Sequence, residues 1–247
     1  MKKILLIQAR LEQAAAEAEL QSYQKALGDS THLEALSVLD EQLAWTTPDE
    51  ILDKYDGVIF GGSGDFDISG GRIKSDPARL IGMIIFTRLP LFIAYILEKD
   101  MPALAICFGH QLVAQMQGGD VDADDSQKKT GTYDVRLTEE GKSDRLFGSL
   151  PETFAAHYMH RDSVTTEPVG AVILASGDMC KFSAVRYKKN VYTVQFHPEL
   201  SADVFVKRLK LSTGYLPEGV RAEDMVRDAK GSESVISSWL ERVVAVV

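Results

Sequence analysis

The apolar run Leu104-Ala105-Ile106 stops at Cys107 and turns at once into a helical pattern, and this junction limits the possible folds more than any other feature. Leu104, Ala105 and Ile106 suit a buried parallel strand. Leu112, Val113 and Met116 recur at helical spacing, and Gly118-Gly119 closes the helix. Cys107 is therefore expected at a strand-to-helix corner, projecting above a sheet near the free N–H groups and partial positive charge of a helix start, which favour a thiolate. The same residue also reads as a small buried hydrophobe, because free cysteine is among the most buried residue types. The stretch alone does not choose between the two.

The flanking sequence supplies the sheet that such a corner needs. Lys3 to Gln8 reads as a strand, Leu11 to Leu27 as a helix closed by Gly28, and His32 to Leu39 as a second strand. A short helix starts at Pro48, and Tyr55 to Phe60 is a strand that runs into Gly61-Gly62-Ser63-Gly64-Asp65. Pro77 to Leu89 and Leu91 to Asp100 read as helical segments interrupted by Pro90. This alternation predicts an α/β fold: a doubly wound, mostly parallel sheet with helices on both faces and a ligand site at the carboxyl ends of its strands. Both glycine-bearing corners fall on that edge.

After Gly119 the pattern changes. Asp120 to Asp125 reads as an acidic loop without metal-ligand spacing. Thr130 to Thr138, Thr153 to Met159, Ala171 to Ala175, Phe182 to Tyr187 and Val191 to Phe196 read as short strands of a small antiparallel extension. Ser201 to Leu211 and Ala222 to Val247 read as helices. Val235, Ile236, Trp239, Leu240 and Val243 form an apolar face that either docks on the sheet or meets a partner. The expectation is one domain over residues 1–247, with a catalytic core at 1–200 and C-terminal helices at 201–247.

Of the 247 residues, 45% are hydrophobic and 26% charged, with a net charge of −9, which argues against nucleic acid or an anionic membrane as partner. Two cysteines give no disulfide framework and point to a reducing cytoplasm. The N-terminal apolar run is too short for a signal peptide. The most apolar window, Ile81 to Leu97, is broken by Arg88 and Pro90 and so is not expected to span a membrane.

A thiol nucleophile needs a base, a group that orients the base, and N–H donors where negative charge develops. The base candidates are His32, His110, His157, His160 and His197. His197 stands out in Val194-Gln-Phe-His-Pro-Glu199: it leaves a strand as Cys107 does, Pro198 fixes the turn, and Glu199 can accept a hydrogen bond from its ring. The same tripeptide also serves as an ordinary turn. The loop Gly61-Gly62-Ser63-Gly64 lacks the pattern of a phosphate cradle, but its backbone can aim an N–H at a substrate carbonyl together with the N–H of Phe108.

Phe60-Gly-Gly-Ser-Gly, Ile106-Cys-Phe-Gly-His-Gln-Leu-Val-Ala-Gln and Gln195-Phe-His-Pro-Glu, in this order, resemble the class I glutamine amidotransferase family, and most of all its stand-alone members similar to the glutaminase domain of GMP synthase. The resemblance implies a flavodoxin-like sheet and a Cys107, His197, Glu199 triad, with the N–H groups of Gly62 and Phe108 as oxyanion hole. Gln111, four residues after Cys107 and on the same side of the helix, would touch bound glutamine. Met159-His-Arg-Asp-Ser-Val164 resembles the family segment whose backbone holds the α-amino and α-carboxylate groups of glutamine, making His160, Arg161 and Asp162 substrate-binding candidates. Asp65 and Asp67 read as solvated loop charges. The chain departs from the family in having Ala105 and Thr193 where glycine is usual. The implied activity is hydrolysis of the glutamine amide through a γ-glutamyl thioester, without metal or organic cofactor, with ammonia passed to an unknown acceptor that is elsewhere or absent, a separate synthetase subunit being one candidate. The alternatives are a γ-glutamyl peptidase or hydrolase using the same triad, and a non-catalytic regulatory or binding protein on this scaffold.

Overall fold

Alternating apolar strands and amphipathic helices open the chain: Lys2–Gln8 (β1), Gln13–Leu27 (α1), Thr31–Ser37 (β2), Pro48–Leu52 (α2), Gly57–Phe60 (β3), Ala78–Lys99 (α3), Ala103–Ile106 (β4) and Phe108–Met116 (α4). The computed structural model describes residues 1–66, 68, 78–212 and 214–247, so Asp67 and Pro77 lie outside the described residues. β1 pairs in parallel with β2 and β3, and β3 pairs in parallel with β4. Every residue of β3 and β4 is buried, as expected for strands covered on both faces.

The chain continues through Val121–Ala123 (β5), Lys129–Leu137 (β6), Glu139–Ser143 (α5), Thr153–His160 (β7), Asp162–Val164 (β8), Ala171–Gly177 (β9), Cys180–Tyr187 (β10) and Val191–Val194 (β11). It ends in Ala202–Leu211 (α6), Lys230–Glu233 (α7) and Val235–Trp239 (α8), the last followed by a π-helical turn over Leu240–Val244. The large sheet has the order β2-β1-β3-β4-β11-β10-β9-β6-β7. β11 adds to β4 in parallel, and from β10 onward the pairing is antiparallel. The antiparallel extension is thus continuous with the parallel half and contributes four strands.

Strand alternation divides the core into two layers. Leu5, Ile7, Val58, Phe60 and Ala105 face α3, whose Ile85, Leu89, Phe92, Ile93 and Ile96 are buried against them. Ile4, Leu6, Ile59, Leu104 and Ile106 face the other way, toward Tyr23 and Leu27 of α1 and Val235, Ile236 and Trp239 of α8. The apolar face of the C-terminal helix therefore docks inside the molecule.

Three details differ from the sequence reading. Pro90 does not interrupt the helix: α3 runs through it, because buried side chains on both sides anchor the segment despite one missing N–H donor. α3 is also long and apolar enough over Ile81–Lys99, 19 residues, to cross a membrane by length and composition, with Arg88 and Pro90 inside that window. Its buried residues pack against the sheet, and 39% of that window is buried. Finally, Asp120 to Asp125 is not all loop, since Val121 pairs with Val164 in a two-stranded ladder of β5 and β8.

α4 approaches the sheet closely at Gly109, where an added Cβ would lie 2.8 Å from both the Cβ and the carbonyl oxygen of Phe60. Backbone cannot yield there, so Gly109→Ala is expected to destabilise the fold by about 1–3 kcal/mol. Gly82 of α3 meets nothing within 4 Å, and Gly82→Ala should stabilise by about 0.4–1 kcal/mol. Urea unfolding of the two variants checks the pair; equal midpoints would contradict the packing.

Candidate active site

β3, β4 and β11 are neighbours in the sheet and point the same way, with Phe60 opposite Ala105 and Ile106 opposite Val194. Gly62, Cys107 and His197 each lie within three residues of the end of one of these strands. Parallel strands sit about 4.8 Å apart, so register alone gathers the three at one carboxyl edge.

Cys107 takes φ 52° and ψ −103°, a conformation that costs a residue with a side chain about 1 kcal/mol or more. Its N–H donates to the Val194 carbonyl at 2.8 Å and its carbonyl accepts from the Gln111 N–H at 3.0 Å, so the turn is clamped on both sides. The thiol is buried, with Sγ 4.0 Å from the carbonyl oxygen of Met159. Phe108 begins α4, where first-turn N–H groups have no intrahelical acceptor. Ala105 sits in regular strand, and the strain falls two residues later at Cys107.

His197 and Glu199 follow the end of β11. The His197 N–H donates to the His157 carbonyl at 2.9 Å, and its ring Nδ1 lies 2.8 Å from Glu199 Oε1. Both side chains are buried, and Arg208 of α6 lies 3.6 Å from the same Oε1. Burial disfavours the charged imidazole, but Glu199 and then Cys107 outweigh it and push His197 up to about 9. Burial likewise raises Glu199, yet His197 and Arg208 hold its carboxyl below the usual range. Nε2 of His197 makes no hydrogen bond among the described residues within normal limits, though it is close enough to Cys107 for the sulfur to raise its proton affinity. Gly62 closes the cluster: a Cβ there would fall 3.1 Å from His197 Cε1 and 3.5 Å from the Cys107 Cβ.

The remaining expected residues surround this group unevenly. Gln111 is buried and its Nε2 donates to the Asp162 carbonyl at 2.6 Å and to Gln195 Oε1 at 3.1 Å, which joins two candidates directly. His160 is buried with Nδ1 3.0 Å from the Asp162 carbonyl; burial first, then His197 and Lys129, lower it to about 3, so it is a neutral ring. Arg161 donates to the Gly214 carbonyl at 3.0 Å and lies over the Tyr215 ring. The other histidines are engaged elsewhere. His110 bonds Thr193 Oγ1 at 2.8 Å, His157 bonds Thr132 Oγ1 at 2.9 Å and stacks on Phe205, and His32 is paired with Glu34. Asp65 accepts from the Leu11 N–H at 3.2 Å. Among the described residues, no group of three or more His, Cys, Asp or Glu could hold a metal ion.

The sequence reading missed Gln195, Arg208 and a buried cluster of Gln8, Arg10 and Glu19. Glu19 looks like one more polar residue of an exposed Ala- and Glu-rich helix, yet it is fully buried, paired with Arg10 at 2.6 Å and bonded by Gln8 at 3.0 Å. No local pattern marks it, because its partners come from β1 and the turn after it.

The family model for glutamine amidotransferase class-I matches residues 30–209. Over 159 residues the chain is 34% identical to a subunit of the glutamine-hydrolyzing GMP synthase of Archaeoglobus fulgidus, covering 63% of this chain and 72% of the relative. It is 31% identical over 150 residues to the glutamine-hydrolyzing GMP synthase of Latilactobacillus sakei, covering 60% of this chain and 25% of the relative's length. A solved glutamine amidotransferase from Thermotoga maritima has the same fold, with a TM-score of 0.70, 20% identity and 98% of each chain covered. The chain belongs to the class I glutamine amidotransferase family.

Proposed function

We propose that this chain hydrolyses the side-chain amide of glutamine, with Cys107 as nucleophile, His197 as acid and base, and Glu199 as the group that orients His197. The observation that carries the reading is the arrangement of His197: held at Nδ1 by Glu199, with Nε2 buried, without a partner at normal hydrogen-bond distance among the described residues, and coupled to Cys107. A ring fixed on one side with a free nitrogen on the other is what a shuttled proton requires.

In the proposed sequence the Cys107 thiolate attacks the γ-carbonyl carbon of glutamine, forming a C–S bond and a tetrahedral oxyanion. The N–H groups of Gly62 and Phe108 hold that oxygen. Collapse breaks the C–N bond as His197 gives its Nε2 proton to the departing nitrogen, which leaves as ammonia. Neutral His197 then takes a proton from water, whose oxygen attacks the thioester. Collapse of this second intermediate breaks the C–S bond, restores the Cys107 thiolate beside the His197 imidazolium and releases glutamate, whose γ-carboxyl proton passes to solvent. Gln111 and the backbone around His160, Arg161 and Asp162 are proposed to receive the α-amino and α-carboxylate groups. The Archaeoglobus relative is named as one subunit of a glutamine-hydrolysing synthase, which supports a separate synthetase chain as ammonia acceptor. The two free, buried cysteines fit a reducing cytoplasm.

Ammonia release from glutamine and amine release from γ-glutamyl dipeptides, with Cys107→Ala as control, test the reading. Glutamine is expected to turn over, and Cys107→Ala to lose at least about a thousandfold in kcat. Turnover of dipeptides alone would make the chain a γ-glutamyl peptidase, and a variant keeping more than a few per cent of the rate would remove Cys107 from the mechanism.

The protonation of His197 gives a second test. Its raised value keeps the imidazolium through neutral pH and loses it as pH rises through about 9. The pH profile of kcat/KM should therefore fall on its alkaline side near that value. In Glu199→Gln the carboxylate charge is gone, so the fall should move toward histidine's ordinary range and kcat should drop. An alkaline limb that stays in place in Glu199→Gln would contradict the pairing.

A further inference from the structure

Gln195 stands two residues before His197 and is fully buried, yet the proposed chemistry gives it no part. Its backbone N–H donates to the Ser183 carbonyl at 3.0 Å, which fixes it just past the end of β11. Its side chain meets Gln111 of α4, whose Nε2 lies 3.1 Å from Gln195 Oε1 and 2.6 Å from the Asp162 carbonyl oxygen. Of the two ends of a side-chain amide only the nitrogen donates, and a backbone carbonyl only accepts. The Asp162 carbonyl therefore decides which way round Gln111 sits, and Gln195 must face that nitrogen with its oxygen. The same carbonyl accepts from Nδ1 of His160 at 3.0 Å, so a second buried side chain is set by it. An amide nitrogen carries two hydrogens. In Gln111 one goes to Asp162 and the other to Gln195, while Oε1 accepts no hydrogen bond among the described residues. Gln195 holds this contact at a cost, because its own Nε2 is buried without a partner among the described residues. A methionine of similar size would fill the space without that cost, so packing alone does not account for a glutamine here.

We infer that Gln195 is a positioning residue for substrate binding: by accepting the second Nε2 hydrogen of Gln111 it locks that amide, so that Oε1 is the group Gln111 offers to the substrate. The inference rests on the reading of Gln111 as a residue that binds glutamine beside Cys107. Held by Asp162 alone, the amide is free to swing about a single hydrogen bond; held at two points, its plane is fixed. What the locked amide presents is an acceptor, which suits a donor group of the substrate and disfavours a carboxylate. The contact also ties the first turns of α4, whose Gln111 N–H donates to the Cys107 carbonyl at 3.0 Å, to the segment that carries His197.

Gln195→Met keeps the unbranched shape and removes the accepting oxygen. Gln195→Asn shortens the amide by one carbon so that it no longer reaches Gln111, and it takes the place of the methionine variant if that one loses the folded circular dichroism spectrum. Glutamine hydrolysis by the full chain is measured for wild type, Gln195→Met, Gln111→Ala, the double variant and Cys107→Ala, which gives a double-mutant cycle. Gln195→Met is expected to raise KM about five- to twentyfold and to leave kcat within about threefold. Added to Gln111→Ala it should raise KM by less than about twofold more, because the amide it positions is already gone. An unchanged KM in Gln195→Met overturns the inference. So does a rise of the same size in the Gln111→Ala background, which marks packing alone, and so does a lower kcat at constant KM, which places Gln195 with His197 instead. If Cys107→Ala is inactive while Gln195→Met matches wild type, the inference fails and the catalytic reading stands. If Cys107→Ala keeps its rate, the catalytic reading fails and the inference falls with it.

Discussion

The hydrogen bond from the Cys107 N–H to the Val194 carbonyl, 2.8 Å long, ties the end of β4 to the end of β11. Everything chemical in the site depends on that register. A backbone hydrogen bond contributes about 1 kcal/mol net, while the positive φ at Cys107 costs a comparable amount. One bond therefore cannot hold the turn alone. The surplus comes from the fully buried strands on either side and from α4, which packs so closely on Phe60 that Gly109 has no room for a side chain. The strained corner is a consequence of a rigid sheet, and it leaves Cys107 beside His197.

The polar residues of the site survive burial by being matched. Glu199 is fully buried, yet it has His197 at 2.8 Å and Arg208 at 3.6 Å. Removing one member of such a set would leave an uncompensated charge, and that is usually worse than removing both. The neighbouring histidines follow the opposite rule. Among the described residues His110 and His160 bond a threonine hydroxyl and a backbone carbonyl and no carboxylate, and burial pushes both down to about 3, so they remain neutral. Environment thus separates one charged imidazole from two neutral ones on the same edge of the sheet.

Much of this was legible in the sequence, and for identifiable reasons. Cys107 stood out because apolar period and helical period change there within one residue. His197 and Glu199 stood out because a turn proline sits between them, and the Gly61-Gly62 loop because it ends a strand on the same edge. Pro90 misled because its local cost was weighed without the tertiary packing that anchors α3 on both sides. Val121 was lost in an acidic run since its partner, Val164, is 43 residues away. Glu19, Arg10, Tyr23 and Arg208 were invisible for the same reason: their burial is set by contacts between α1, α6 and the sheet edge, and no periodicity records such contacts.

The two cysteines differ in ways that permit a direct test. Cys107 sits in the strained corner beside His197, whereas Cys180 lies in β10, where burial raises its thiol above the ordinary cysteine value and makes it a poor nucleophile. A glutamine analogue carrying an electrophilic carbon at the γ position, followed by peptide mass analysis, distinguishes them. The account predicts one equivalent of label on the peptide containing Cys107, with glutamine protecting it. Label on Cys180, or none on either cysteine in protein that still hydrolyses glutamine, would contradict it.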